Sequence, residues 1–187
     1  MINYQIILLY GGGGNEHEIS LLSKNHLKDN LKNHPHFHLT EIEITKNRQW
    51  VYRQQNQDQQ VFLDPEKNLC DVKTKKVIQK VDYVIPCIHG FPGESGHLQG
   101  LLDLYGIPYF GNGMEASVIC MNKISTKLWL HHAQIPVVPF LTIASEKNMD
   151  LTQAKNFMNE YGKIFIKASS EGSSVGIYPA STTAELE

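Results

Sequence analysis

The chain is poor in the residues that staple or target a protein. It has three cysteines, Cys70, Cys87 and Cys120, an odd number with no C-x-x-C pair. That excludes a disulfide framework or a zinc knuckle as the organising principle. No apolar run approaches the ~20 residues of a membrane span. The run near the N-terminus stops at Tyr10 and has no basic segment before it, unlike a secretory signal. Charge of one sign is also scarce. Seventeen basic residues face nineteen acidic ones, a net −2, which gives nucleic-acid binding no support. A soluble, cytoplasmic protein is the expectation, with neither nucleic acid nor membrane as partner.

What remains is a globular composition. The 187 residues are 41% hydrophobic, too many for a disordered chain. A chain of this length buries roughly 70% of its unfolded surface and needs no staples. Ile6–Tyr10 reads as a buried strand ending in glycine. A helix is expected over 16–31 and a strand over 39–44. Segments 50–52 and 61–63 flank the polar stretch RQQNQDQQ, a hairpin or surface loop. KTKK at 73–76 reads as a solvated face. Val81–Ile88 is the next strand, although Pro86 donates no ladder hydrogen bond. Helix 97–105 ends at Gly106, and 107–111 reads as a short strand. This order argues for an α/β fold with a parallel, Rossmann-like sheet over 1–113.

A second domain is expected over 114–187. It contains helix 114–132 with a break near Asn122, a strand over 137–143, and a helix over 149–161. Two short strands, 164–167 and 176–178, flank a Ser/Gly loop. Thr182 and Glu185 have capping-box spacing, so a helix starts where the chain stops. A truncated second domain is the reading adopted for that ending.

Three segments carry candidate chemistry. Glycines 11–14 lead into NEHEIS. As a dinucleotide fingerprint the pattern fails, because its third glycine falls on Glu16 or His17. Acidic residues in a helix's first turn suit the dipole but repel a pyrophosphate. Glu16 is therefore a candidate for binding a substrate amine. Glu18 is assigned to a capping box with Asn15 as N-cap. Without the third glycine, Glu41 and Glu43 are weak ribose ligands.

The second segment is VIPCIHGFPGESG, 84–96. It places His89 at a strand's carboxyl end, where open α/β sheets bind ligands. Glu94 and Ser95 could cap the helix that follows. The third segment is KASSEGSSVG, 167–176, whose small residues let backbone N–H groups converge on phosphate oxygens. It lacks the G-K-[ST] order of a Walker A loop.

Taken in order, GGGGNEHEISL (11–21), IHGFPGESGHLQGLLDLYGIPYFGNG (88–113), MNKISTK (121–127) and IFIKASSEGSSVG (164–176) resemble D-alanine–D-alanine ligases. These are ATP-grasp enzymes of peptidoglycan precursor synthesis. The resemblance covers that family's N-terminal domain and part of its central ATP-grasp domain, and is weakest over 45–80.

It implies a ligase that joins two D-alanines through an acyl phosphate. It assigns catalytic roles to Glu16 and Ser173. Glu16, Ile19 and His89 bind the first D-alanine at its ammonium, methyl and carboxylate. Lys123, Lys167, Glu171, Gly172, Ser173 and Ser174 contact ATP. Magnesium is implied too, with its ligands in a C-terminal domain absent from this chain. No metal ligand is therefore expected here, and the chain as written is expected to be inactive. The family's habit of pairing through its N-terminal domain allows a homodimer. The competing reading is a non-catalytic module that binds an amino acid or nucleotide.

Overall fold

The computed structural model describes residues 3–54, 57–143 and 150–186. Backbone contacts divide it into two units, Met1–Val118 and Ile119–Glu187.

The first unit begins with strand β1 (Tyr4–Gly11) and helix α1 (His17–Leu31). Strands β2 (Phe37–Ile44), β3 (Trp50–Arg53), β4 (Asp58–Leu63), β5 (Asn68–Asp71), β6 (Val77–Lys80) and β7 (Tyr83–Cys87) follow. Helix α2 (His97–Leu104) comes next, and helix α3 (Met114–Met121) runs across the division between the units. The seven strands lie in the order β6-β5-β4-β3-β2-β1-β7. The parallel sheet expected from sequence is thus mixed. Only β2, β1 and β7 run parallel, and β3 to β6 extend the sheet as antiparallel neighbours. The reason is connection length: short turns join β3 through β6, and such turns allow only antiparallel return. The expected hairpin is β3–β4, with residues 55 and 56 outside the described set. KTKK lies at the exposed β5–β6 turn.

β1 is covered on both faces, which explains its unbroken apolar run. Ile7 and Leu9 pack with Leu98 and Leu102 of α2. Leu8 and Tyr10 pack with Leu21 and Leu27 of α1. The two helices therefore lie on opposite faces of the sheet. Pro86 is tolerated for a geometric reason. Val84 directs its N–H and C=O away from β1, to Pro108 and Phe110. Pro86, two residues on, points its nitrogen the same way, past the end of that pairing. Segment 107–111 is not a strand as expected. It makes a single bridge, Tyr109 to Val84.

The second unit contains helix α4 (Lys123–His132), helix α5 (Thr152–Tyr161), the antiparallel pair β8 (Ile164–Lys167) and β9 (Ile177–Ala180), and helix α6 (Thr183–Leu186). The break at Asn122 is real. Its backbone is extended, and its side chain accepts from the N–H groups of Ile124 and Ser125, both at 3.0 Å. Asn122→Ala is expected to lower the stability of this unit by about 1 kcal/mol. Urea unfolding followed by Trp129 fluorescence measures it, and a change below about 0.3 kcal/mol would contradict the cap's role.

The strand expected over 137–143 does not form. Pro136 and Pro139 remove two ladder donors, and among the described residues β8 and β9 pair only with each other. The helix expected from Met149 starts at Thr152, whose N–H is held by Asp150 at 2.9 Å. Met149 itself lies outside the described residues. The Thr182–Glu185 box is present. Glu185 N–H donates to Thr182 Oγ1 at 3.3 Å, and Thr182 N–H donates to Glu185 at 3.1 Å.

Candidate functional site

The connections after β1 and β7 leave on opposite faces of the sheet, so the carboxyl ends of these two neighbours form a switch point. One buried hydroxyl ties the ends together. Ser20, fully buried on α1, accepts from the Gly11 N–H at 2.7 Å and donates to the Cys87 carbonyl. Gly11 and Cys87 are the last residues of β1 and β7. Burial raises the Cys87 thiol above its usual range, so this cysteine packs rather than reacts.

The first two glycines of the turn are packed against protein. A Cβ on Gly11 would lie 2.4 Å from the Ile44 carbonyl oxygen, and one on Gly12 would lie 2.7 Å from Ile88 Cγ2. These two glycines serve close packing.

Glu16 occupies the N-cap position of α1, without a side-chain cap hydrogen bond. The expected Asn15–Glu18 capping box is therefore not formed. The helix starts one residue later than that box requires, and Glu18 instead pairs with Lys46 at 3.2 Å on the surface. Glu16 is half-buried, and its carboxylate abuts Gly90. A Cβ on Gly90 would sit 2.8 Å from Glu16 Oε2 and would displace the carboxylate, and the φ of +64° there favours glycine. The next loop residues hold Gly90 in turn. Its N–H donates to Glu94 at 2.9 Å, and Glu94 N–H donates to its carbonyl at 2.7 Å.

Neither Glu94 nor Ser95 caps α2, contrary to expectation. Gly96 holds the N-cap position, and Ser95 pairs with His97 at 2.9 Å. Buried Gln99 reaches back to the Gly93 carbonyl at 2.5 Å. His89, two residues past β7, has Nε2 2.9 Å from Ser23 Oγ. Ile19, between Glu16 and Ser23 on α1, is 51% exposed, unlike a core residue. The structure thus brings Glu16, Ile19 and His89 to one end of the sheet.

The carboxylates Glu41 and Glu43 are already committed. Burial opposes ionisation of Glu41, but hydrogen bonds from Lys28 and Lys24 outweigh it and hold the carboxyl below its usual range. Glu43 is buried beside His17 and pairs with Arg53 at 2.6 Å. Burial, then Glu43 and Glu41, pushes the Tyr10 hydroxyl up to about 12.

In the second unit, the loop between β8 and β9 is tied to the start of α4. The Lys123 N–H donates to the Ser169 carbonyl at 2.8 Å, and its Nζ donates to the Glu171 carbonyl. Asn122 donates to Ser170 Oγ at 3.3 Å. Ser173 and Ser174 have φ of +44° and +64°, and Gly176 closes the loop against Ala168. Ser173 and Ser174 are thus the central residues of a tight turn, in which the Val175 N–H donates to the Gly172 carbonyl at 2.9 Å. Lys167 ends β8 with an exposed side chain, its Nζ 5.9 Å from the Phe165 ring centre. Glu171 is exposed and Gly172 half-buried in the same loop. Lys127, four residues after Lys123, instead donates to the Val138 carbonyl at 2.8 Å.

Sequence reasoning missed Ser20 and Ser23. Ser23 carried one usable signal: it lies at i+7 from Glu16, on the same helix face.

A family profile described as the D-ala D-ala ligase N-terminus matches residues 5–112. The chain belongs to the D-alanine–D-alanine ligase family. It is 45% identical to the D-alanine–D-alanine ligase of Aeromonas hydrophila, with all of this chain and 54% of that protein aligned. Among solved structures, it is similar to the D-alanyl-alanine synthetase A of Vibrio cholerae, at 41% identity and a TM-score of 0.90, over 100% of this chain and 54% of that one. The VanG D-Ala:D-Ser ligase of Enterococcus faecalis matches with a TM-score of 0.80 at 28% identity, over 98% of this chain and 57% of that one. The chain thus spans about half the length of the curated ligases it matches, 54% for the Aeromonas hydrophila protein.

Proposed function

We propose that this chain supplies the first-substrate site and part of the nucleotide site of an ATP-dependent, cytoplasmic D-alanine–D-alanine ligase. The observation that carries the reading is Glu16 against Gly90 at the switch point, on the helix face that carries Ile19 and beside His89. An amino acid has an ammonium, a small side chain and a carboxylate. A carboxylate, an exposed apolar residue and an imidazole match those three groups. The Ser/Gly loop 171–176, with Lys123 and Lys167, suits phosphate oxygens by its backbone N–H groups and positive charge.

In this reaction an oxygen of the first D-alanine's carboxylate attacks the γ-phosphorus of ATP, and ADP leaves. The neutral amine of a second D-alanine attacks the acyl phosphate carbon. Inorganic phosphate departs and the amide forms after loss of a proton. The residues named here bind and orient, and they stabilise charge without a covalent intermediate. Among the described residues, no group of three or more His, Cys, Asp or Glu side chains could hold a metal ion. These residues do not fit a magnesium cage. Pairing of two copies through the N-terminal unit belongs to the same reading.

The test is a pair of amide-resonance titrations of the 187-residue chain. D-Alanine is expected to move residues around Glu16, Ile19 and His89–Glu94. ATP is expected to move Lys123, Lys167 and 171–176. Neither ligand should yield D-alanine-dependent ADP. D-Alanine shifts confined to the second unit would overturn the assignment.

A further inference from the structure

We infer that Ser23 is the positioning residue of His89, holding its ring in the tautomer that carries the proton on Nδ1. The inference rests on the reading of His89 as the partner of a substrate carboxylate.

Two hydroxyls on α1, one turn apart, grip two points of the chain leaving β7. Ser20 donates to the carbonyl of Cys87, and Ser23 Oγ lies 2.9 Å from Nε2 of His89, two residues further on. The first contact is fully buried on the serine side and sets the height of α1 against the strand end. With that height set, the second contact fixes the direction of the imidazole ring.

The nitrogen that Ser23 touches is Nε2, which leaves Nδ1 as the other polar atom of the ring. A neutral imidazole donates through one nitrogen and accepts through the other. To donate to a carboxylate through Nδ1, His89 must accept at Nε2. A serine hydroxyl can donate there, and a backbone carbonyl at the same place could not. The hydrogen bond made by one ring nitrogen sets the proton on the other. Free imidazole side chains favour the opposite form, with the proton on Nε2. A held Nδ1–H tautomer is therefore a signature that helix packing alone does not produce.

The same helix face carries Glu16 and Ile19, at i−7 and i−4 from Ser23. One helix would then present the group for the ammonium, the apolar contact and the aim of the histidine.

The experiment is long-range ¹H–¹⁵N correlation of the histidine rings in the 187-residue chain at pH 8, without D-alanine, with His89 assigned through His89→Gln. Wild type is expected to show His89 with the proton on Nδ1. Ser23→Ala is expected to shift it to the Nε2–H pattern, and Ser23→Thr to restore the first pattern. The His17 resonances, held by the Gly12 carbonyl at 2.8 Å, report whether the fold is intact and should not move. A wild-type His89 in the Nε2–H form would overturn the inference. So would a pattern that Ser23→Ala leaves unchanged while His17 is also unchanged. D-Alanine is then added to wild type. If the Nδ1–H pattern is present but D-alanine leaves His89 unmoved, the substrate reading fails and the role of Ser23 stands.

Discussion

Ser20→Ala is expected to lower the stability of the N-terminal unit by about 3 kcal/mol, a large share of a small domain's total. The change removes one oxygen and leaves almost no cavity, so packing contributes little to the loss. The cost lies in two orphaned backbone groups. The Gly11 N–H loses its acceptor, and the Cys87 carbonyl loses a donor. Ser20 is fully buried, Gly11 is buried, and Cys87 is 8% exposed, so water does not readily replace the hydroxyl. Each unsatisfied buried group costs about 1–3 kcal/mol. Urea unfolding followed by Trp50 fluorescence, in a Trp129→Phe background, measures the change in this unit. With a slope of about 1–2 kcal/mol/M, the midpoint should fall by roughly 2 M. A loss under about 0.5 kcal/mol would mean that the strand ends relax without the hydroxyl.

The second large effect is a crossed one on substrate use. It is read in a chain extended beyond residue 187 by the remaining part of the Aeromonas hydrophila ligase. Glu16→Gln keeps the shape of the side chain and removes its charge. An ammonium then loses a charge-assisted hydrogen bond of about 1.5–3 kcal/mol, and KM for D-alanine should rise about 10- to 100-fold. KM for ATP should hold within about twofold, because the residues proposed for the nucleotide belong to the other unit. Lys167→Ala should do the reverse, raising KM for ATP by a similar factor and leaving KM for D-alanine nearly unchanged. Changes confined to ATP in both variants would remove Glu16 from the amino-acid site. Changes confined to D-alanine in both would remove Lys167 from the nucleotide site.

Much of the architecture was legible because it is local. The run Ile6–Tyr10 has no polar face, and a strand covered on both sides buries all five residues. Asn122 interrupts an apolar helix and accepts from its own following N–H groups, so the break is written within four residues. The Thr182–Glu185 box is equally local. The strand expected over Val137–Ile143 from its apolar residues is absent because Pro136 and Pro139 lack ladder donors. The capping box expected at Asn15 does not form because Glu16 is the N-cap, which puts Ile19 rather than Glu18 at the third helical position.

The amino-acid sequence by itself determined the α/β class, the buried strand β1, the acidic start of α1 and the Gly/Ser loop, since each follows from neighbours along the chain. Tertiary structure alone decided that the sheet extends antiparallel beyond β2, that Glu41 and Glu43 are committed to lysine and arginine partners, and that Glu94 holds Gly90 rather than a helix end. It also decided that Ser20 and Ser23 matter at all. A serine inside a helix ordinarily points to solvent or to its own backbone. What sets these two apart are the Cys87 carbonyl and the His89 ring, 67 and 66 residues away, which only folding brings within reach.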